Sequence, residues 1–251
     1  MCDLVSTTPS LRRALAVASF AAAAALANDA SALTLLQPFA ASGSAPAAPW
    51  RVLGLPHQTK PFTRFSVVDL DARRALRVEA DASYGNLVHS LQLSTASAHL
   101  AWQWRVDEPN PAVDLHVRAG EDTALRICVL WDLALGQVPF FERQFLRLAR
   151  ANADMYLPAA TVCYVWDAHL PPGAVLDSPF TRRLRFIVLR SGDAPLHQWT
   201  AERRDIVADF RKLFGTETDV LPPIIGIAVG ADADNTHGHS LAHVADLLLE
   251  P

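Results

Sequence analysis

Apolar and polar side chains alternate along much of the chain from residue 50 onward, and a period of two marks a strand with one face buried. Leu100-Ala101-Trp102-Gln103-Trp104-Arg105-Val106 shows it most clearly, and Ala75–Ala80 repeats it. Trp50–Leu55, Thr63–Val68, Asn86–His89, Val113–Val117, Ala124–Leu130, Thr161–Trp166, Leu184–Leu189, Ile224–Val229 and His243–Leu249 are further predicted strands, parted by Pro, Gly and Asp turns such as Asp69-Leu70-Asp71. Short strands at this spacing predict a sandwich of two sheets. Two stretches break the period. Val138–Met155 brings Phe140, Phe141, Phe145, Leu146 and Leu148 together at helical steps, with arginines between them. Thr200–Phe214 repeats Ile206, Val207, Phe210, Leu213 and Phe214 at three- and four-residue steps and ends at Gly215. The pattern predicts a mainly β sandwich with two helical insertions.

Before residue 50 the pattern differs. Arg12-Arg13 is followed by an Ala-rich apolar run to Ala27 and by the small residues Ala30-Ser31-Ala32. That order predicts a secretory signal peptide over residues 1–32, with an alternative cut after Ala27. The run is too short and too Ala-rich for a membrane span, and no later run is long enough for one. Cutting after Ala32 leaves 251 − 32 = 219 residues, enough for a single domain with a sizeable core. Residues 33–49, interrupted by Ser42-Gly43-Ser44-Ala45-Pro46, read as a linker or N-terminal arm, and 50–251 as the single sandwich domain. The expected location is the bacterial periplasm or the exterior, with no span left after cleavage.

Charge removes one class of function. The net charge is −4, from 22 basic and 26 acidic residues, and losing the leader does not change the balance. There is no basic footprint of a nucleic-acid binder. Cys2 leaves with the leader. Cys128 and Cys163 stay, each in a strand-like run. In an oxidising compartment they are either a disulfide between neighbouring strands or two buried thiols packing as small hydrophobes.

A family resemblance rests on an ordered set of motifs. These are Leu100–Val106, Ala119-Gly120-Glu121-Asp122, Tyr164-Val165-Trp166-Asp167, Arg203-Arg204-Asp205 with Asp209-Phe210-Arg211, Phe214-Gly215, and Asp232-Ala233-Asp234-Asn235-Thr236. Together they resemble the bacterial exported domain-of-unknown-function family thirty-forty-seven. The resemblance implies an exported β-rich domain and brings no activity with it. A looser likeness is to jelly-roll carbohydrate-binding modules. Ile224–Val229, the DADNT turn and Ala245-Asp246-Leu247-Leu248 repeat the layout of their closing hairpin, which makes the expected sandwich jelly-roll-like.

The DADNT segment is the main chemical candidate. Asp232, Asp234 and Asn235, with Asp246 from the following strand and Glu121-Asp122 after Gly120, offer the oxygens that Ca2+ prefers. The segment is not an EF-hand, because His237 stands where glycine is needed. The other reading is a turn whose Asp and Asn oxygens cap backbone amides. A buried pair of aspartates needs a counter-charge, and Arg203 and Arg204 are candidates beside a metal. His237, His239 and His243 raise a Zn or Cu site, against a solvated His-rich loop. Trp102 and Trp104 read as core. Trp131, Trp166 and Trp199, at element ends, are the candidate ligand-binding tryptophans. No G-x-S-x-G, P-loop, G-x-G-x-x-G, H-E-x-x-H or C-x-x-C motif is present. A hydrolase would need only two carboxylates, for which Glu121, Asp122, Asp167 and Asp205 are the candidates. Arg64, Arg105 and Arg126, inside strands, predict buried arginine–carboxylate pairs. The leading expectation is an exported, non-catalytic binding protein for a glycan, with a structural Ca2+ site. The alternatives are a hydrolase of a polysaccharide or envelope substrate, and a structural partner of an envelope protein.

Overall fold

A computed structural model describes residues 1, 35–151, 157–192 and 194–250. The predicted signal peptide lies outside the described residues. Contacts group Leu33–Pro251 as one compact unit, and its core is closed within itself.

The strands are β1 (Arg51–Leu53), β2 (Arg64–Leu70), β3 (Arg73–Asp81), β4 (Tyr84–Leu93), β5 (His99–Glu108), β6 (Thr123–Trp131), β7 (Ala160–Trp166), β8 (Val175–Asp177), β9 (Leu184–Arg190), β10 (Thr200–Asp205), β11 (Ile224–Asp232) and β12 (His239–Glu250). The helices are α1 (Phe140–Ala151), between β6 and β7, and α2 (Ile206–Phe214), between β10 and β11. A seven-stranded sheet runs β1-β4-β11-β6-β7-β9-β8 and a five-stranded sheet runs β10-β5-β12-β3-β2. Neighbours are antiparallel except β7 and β9. This is the jelly-roll-like, mainly β two-sheet sandwich with two helices.

Alternation places the core. On β5, Leu100, Trp102, Trp104 and Val106 point between the sheets and are fully buried. They meet Tyr164 and Trp166 of β7, with Trp102–Tyr164 ring centroids 5.4 Å apart and Trp104–Trp166 5.7 Å apart. The central strands β6, β7 and β11 are buried on both faces, because a second cluster covers part of the outer face of the larger sheet. That cluster holds Val113, Leu115, Cys128, Cys163, Val165, Phe186 and Val188. Cys128 and Cys163 stand directly opposite each other on β6 and β7, with Cα atoms 4.0 Å apart, and form a disulfide.

Two predicted elements are corrected. Thr200–Asp205 is strand β10, paired with β5, and not the first turn of a helix. The 3.6-residue apolar period starts only at Ile206, and Asp205 caps α2 by accepting from the Ala208 amide at 2.9 Å. Val113–Val117 is not a strand. Asp114 accepts from the His116 amide at 3.0 Å and folds the segment into turns that press Val113 and Leu115 onto the sheet. α1 is described to Ala151, and its predicted extension over 152–155 lies outside the described residues. The segment ahead of residue 50 is an arm laid on the sandwich. Leu36 and Phe39 enter the inter-sheet core, the Trp50 indole donates to the Gln37 carbonyl at 2.8 Å, and the Val67 amide donates to the Ser44 carbonyl at 2.7 Å.

Candidate functional site

The outer face of the seven-stranded sheet is only partly covered. The rest is a cleft of about 730 Å3. Its floor is set by register, in three rows across β4, β11, β6 and β7. Asn86, Gly230 and Arg126 form the first row, Val88, Ala228, Cys128 and Cys163 the second, and Gly226, Leu130 and Thr161 the third. The small residues of β11 keep the middle of the floor low, and a Cβ on Gly230 would collide with Asn86 Oδ1. α1 forms one wall with Phe145, Leu146 and Ala149. Leu53–Pro56 and Ser178–Leu184 form the others. The surface is mostly hydrocarbon, with guanidinium groups of Arg118, Arg126, Arg182 and Arg183 around it.

One end of the floor is polar. Arg126 Nη1 donates to Asp232, and its Nε and Nη2 each lie 3.3 Å from Asn86 Oδ1. Asn86 in turn donates to the Tyr84 hydroxyl at 3.2 Å. Asp232 also accepts from the Thr123 amide at 2.7 Å and hydroxyl at 2.8 Å. Burial pushes the Asp232 carboxyl up, against the pull of Arg126. Burial also opposes the charge on Arg126, and Asp232 together with Tyr84 and Glu121 more than offsets it.

The DADNT turn is capped from a distance. Both oxygens of Asp122 are engaged, Oδ1 by the amide and side chain of Asn235 at 3.2 and 3.1 Å, and Oδ2 by the amide and hydroxyl of Thr236 at 2.8 and 2.6 Å. Asn110 holds the Thr236 hydroxyl from the other side at 2.8 Å. Asp234 takes Lys60 Nζ at 2.8 Å, and its other oxygen, Oδ1, is buried with no hydrogen-bond partner. Asp122, Asp232 and Asp234 each bring one oxygen within 4.8 Å of the others, the one such group of potential ligands among the described residues. The counter-charges are Arg126 and Lys60. Arg203 and Arg204, the expected ones, pair with Glu250 and Asp209 instead.

The remaining predicted residues scatter. Asp246 is not in the aspartate group. It sits at a break in the β12–β5 register with φ 52°, and its carboxylate meets Arg73 at 2.7 Å and Gln103 at 2.9 Å on the five-stranded sheet. Trp131 and Trp166 offer no ligand surface. Each is 1% exposed, because both alternate inward and pack on Phe210 and Trp104. Trp199 is part-exposed beside Arg73 and His243, on the five-stranded sheet and away from the cleft. The three histidines do not converge. His237 is exposed, His239 meets Glu108 at 3.3 Å, and His243 meets Asp107 at 3.1 Å. Arg64 is exposed in its pair with Glu79, whereas Arg126 forms the predicted buried pair and Arg105 is largely buried against Asp107.

Of the candidate acids, Asp167 caps the amides of His169 and Leu170, and Asp205 caps α2. Glu121 differs. Burial and the nearby Asp232 push its carboxyl up to about 7. Between the ordinary 4.5 and about 7 the folded chain therefore keeps a proton that the unfolded chain has lost. Stability attributable to Glu121 falls as pH rises through that window, by roughly 3 kcal/mol. His89 and His243, both lowered by burial, act with the opposite sign. Urea unfolding of Glu121→Gln and the parent across the window isolates the effect. The difference between them should change steadily with pH, and a constant difference would show that Glu121 titrates normally.

The sequence reading did not reach the cleft. Asn86, Gly230, Ala228 and Thr161 became neighbours only through register. The alternating small residues Gly226, Ala228 and Gly230 were the one available signal.

The chain matches the family described as "Protein of unknown function (DUF3047)" over residues 48–248. It belongs to that family. The DUF3047 match runs through both sheets and both helices and includes the whole floor of the cleft. No curated protein matches the chain. Among solved structures, the DUF3047 domain is similar to a family 12 xyloglucanase from Bacillus licheniformis, with 7% identity over 84% of this chain and 99% of that one and a TM-score of 0.44. It is similar to the catalytic domain of Humicola grisea Cel12A, with 9% identity over 83% and 95% and a TM-score of 0.43. It is also similar to TmCBM61, solved with β-1,4-galactotriose, with 10% identity over 80% and 88% and a TM-score of 0.34. Likenesses this loose carry no residue and no ligand across.

Proposed function

We propose that the protein is an exported, non-catalytic binding protein and that its ligand lies in the cleft on the outer face of the seven-stranded sheet. The cleft itself carries this reading. Its volume of about 730 Å3 and its mainly apolar lining with a few polar groups at one end suit a ligand site. Export is supported by the leader pattern of residues 1–32 and by the Cys128–Cys163 disulfide.

A hydrolase is the weaker reading. Two-carboxylate glycosidases hold their acids about 5–10 Å apart across the bond. Among the described residues, the cleft lining contains a single carboxylate, Glu142, and Arg183 neutralises it at 2.6 Å. A glycan is the second reading for the ligand, because Tyr84, Phe145 and Phe180 bring aromatic side chains to the cleft lining.

Filling the floor tests the site. Ala228→Trp would put an indole into the middle row. The anionic dye anilinonaphthalenesulfonate should bind the parent saturably and the variant at least about tenfold more weakly, compared at a temperature where both are folded, because an indole at the buried Ala228 also lowers the melting point. Equal binding to both would remove the cleft from the account.

A further inference from the structure

The arm ahead of β1 is held at one peptide group from both sides. The Gln37 N–H donates to His89 Nε2 at 3.2 Å, and the Gln37 carbonyl accepts from the Trp50 indole at 2.8 Å. His89 and Trp50 meet edge to face with ring centroids 5.0 Å apart, and Phe39 lies 4.8 Å from Trp50. All three rings are buried. Val88 belongs to the floor of the cleft, so its neighbour His89 points the other way, into the core beneath the arm. β1 leans on the same contact. It has three residues, lies at the edge of its sheet and follows directly on Trp50.

An imidazole nitrogen accepts an N–H only while it keeps its lone pair. A proton on Nε2 would turn the acceptor into a donor aimed at the Gln37 N–H, and would leave a cation among apolar groups. Burial accordingly holds the His89 ring below its ordinary range, and the carbonyls of His89 and Ser90 oppose this less strongly. Among the described residues no charged side chain acts on the ring. The arm brings Gln37 and Phe39 to this place, β11 brings Ile227, and the residue before β1 is Trp50. Arg51 pairs with Val88 and so shares its outer side. Arg74, 3.4 Å from Asp69, holds the arm farther along, at the Ala40 and Gly43 carbonyls.

We propose that His89 is an acid-sensitive latch: when its ring takes a proton, the arm over residues 35–50 lifts off the sandwich and β1 loosens with it, while the rest of the sandwich stays folded. The latch does not depend on the reading of the cleft, because its contacts are measured with no ligand present. Above the ordinary histidine value of 6.5 the docked and the free arm bind the same number of protons. Below it the freed ring is protonated and the docked ring is not. The open fraction therefore rises about tenfold per pH unit as pH falls, until the docked ring titrates as well.

Amide hydrogen exchange of the compact unit 33–251, followed from about pH 7.5 to about pH 5, tests it. Protection relative to the unfolded chain should fall about tenfold per pH unit below 6.5 at three amides of the arm contact. These are Gln37, Ala47, which donates to the Phe39 carbonyl, and Val67, which donates to the Ser44 carbonyl. Trp102 and Tyr164, in the core, should keep their protection. His89→Gln, which cannot titrate, should give arm protection that no longer changes with pH, whether or not its amide oxygen rebuilds the bond to Gln37. The latch is overturned if protection at Gln37 is constant in the parent, or if His89→Gln keeps the parent's fall. It is also overturned if the core amides fall in step, because acid then unfolds the whole domain. A His89 ring that titrates at or above 6.5 in the parent's NMR spectrum overturns it whether or not the variant folds.

Discussion

Asp232→Ala should lower stability by about 3–5 kcal/mol, because it leaves the buried Arg126 guanidinium without its counter-charge. At the size of this domain that is a fall in melting temperature of roughly 10 °C or more. Both side chains are nearly inaccessible, at 5% and 4% exposed. The Thr123 amide and hydroxyl lose their acceptor at the same time. Arg126→Met/Asp232→Leu should recover much of the loss, since it removes both charges and leaves none unpaired. The same experiment decides on the cation. Arg126 and Lys60 already neutralise two of the three clustered aspartates, so the parent should melt alike in EDTA and in millimolar Ca2+. A rise with Ca2+ that Asp234→Asn abolishes would make the cluster a Ca2+ site, centred on the unpartnered Asp234 Oδ1.

Removing the disulfide should cost nearly as much. Cys128 and Cys163 are 35 residues apart, and the loop they close corresponds to about 4 kcal/mol of lost chain entropy in the unfolded state. Cys128→Ala/Cys163→Ala should therefore unfold at clearly lower urea, with a somewhat steeper slope because the unfolded chain is free to expand. The loop contains α1, so opening it also frees the wall of the cleft. Dye affinity should fall with the disulfide, at temperatures where the variant is still folded. A double variant as stable as the parent would mean that packing of the two strands already fixes this region.

The sandwich was legible because β5 alternates throughout and β3 from Leu76 to Ala80, and alternation depends only on local sequence. The start of α2 was misread because Thr200–Asp205 carries charges that either a strand or a helix surface accepts. What decided it was pairing with β5, about a hundred residues away. The importance of Asp232 and Asp234 was legible from composition, but their partners were not. Asp122 was already a candidate beside them, but the counter-charges Lys60 and Arg126 come from two separate parts of the chain, and proximity of that kind has no local signature. Trp131 and Trp166 misled for a related reason. A tryptophan at a strand end looks like a surface residue until the opposite sheet and α2 are placed over it.

The central claim is that ligand occupies the outer face of the seven-stranded sheet, and an amide shift map measures that directly. Titrating anilinonaphthalenesulfonate into isotope-labelled protein should move the signals of Asn86–Val88, Gly226–Gly230, Arg126–Leu130, Thr161–Cys163 and α1, and leave β2, β3, β10 and β12 unchanged. Shifts gathered around Trp199 and Asp246 on the five-stranded sheet, or saturable binding that moves none of the cleft signals, would contradict the account.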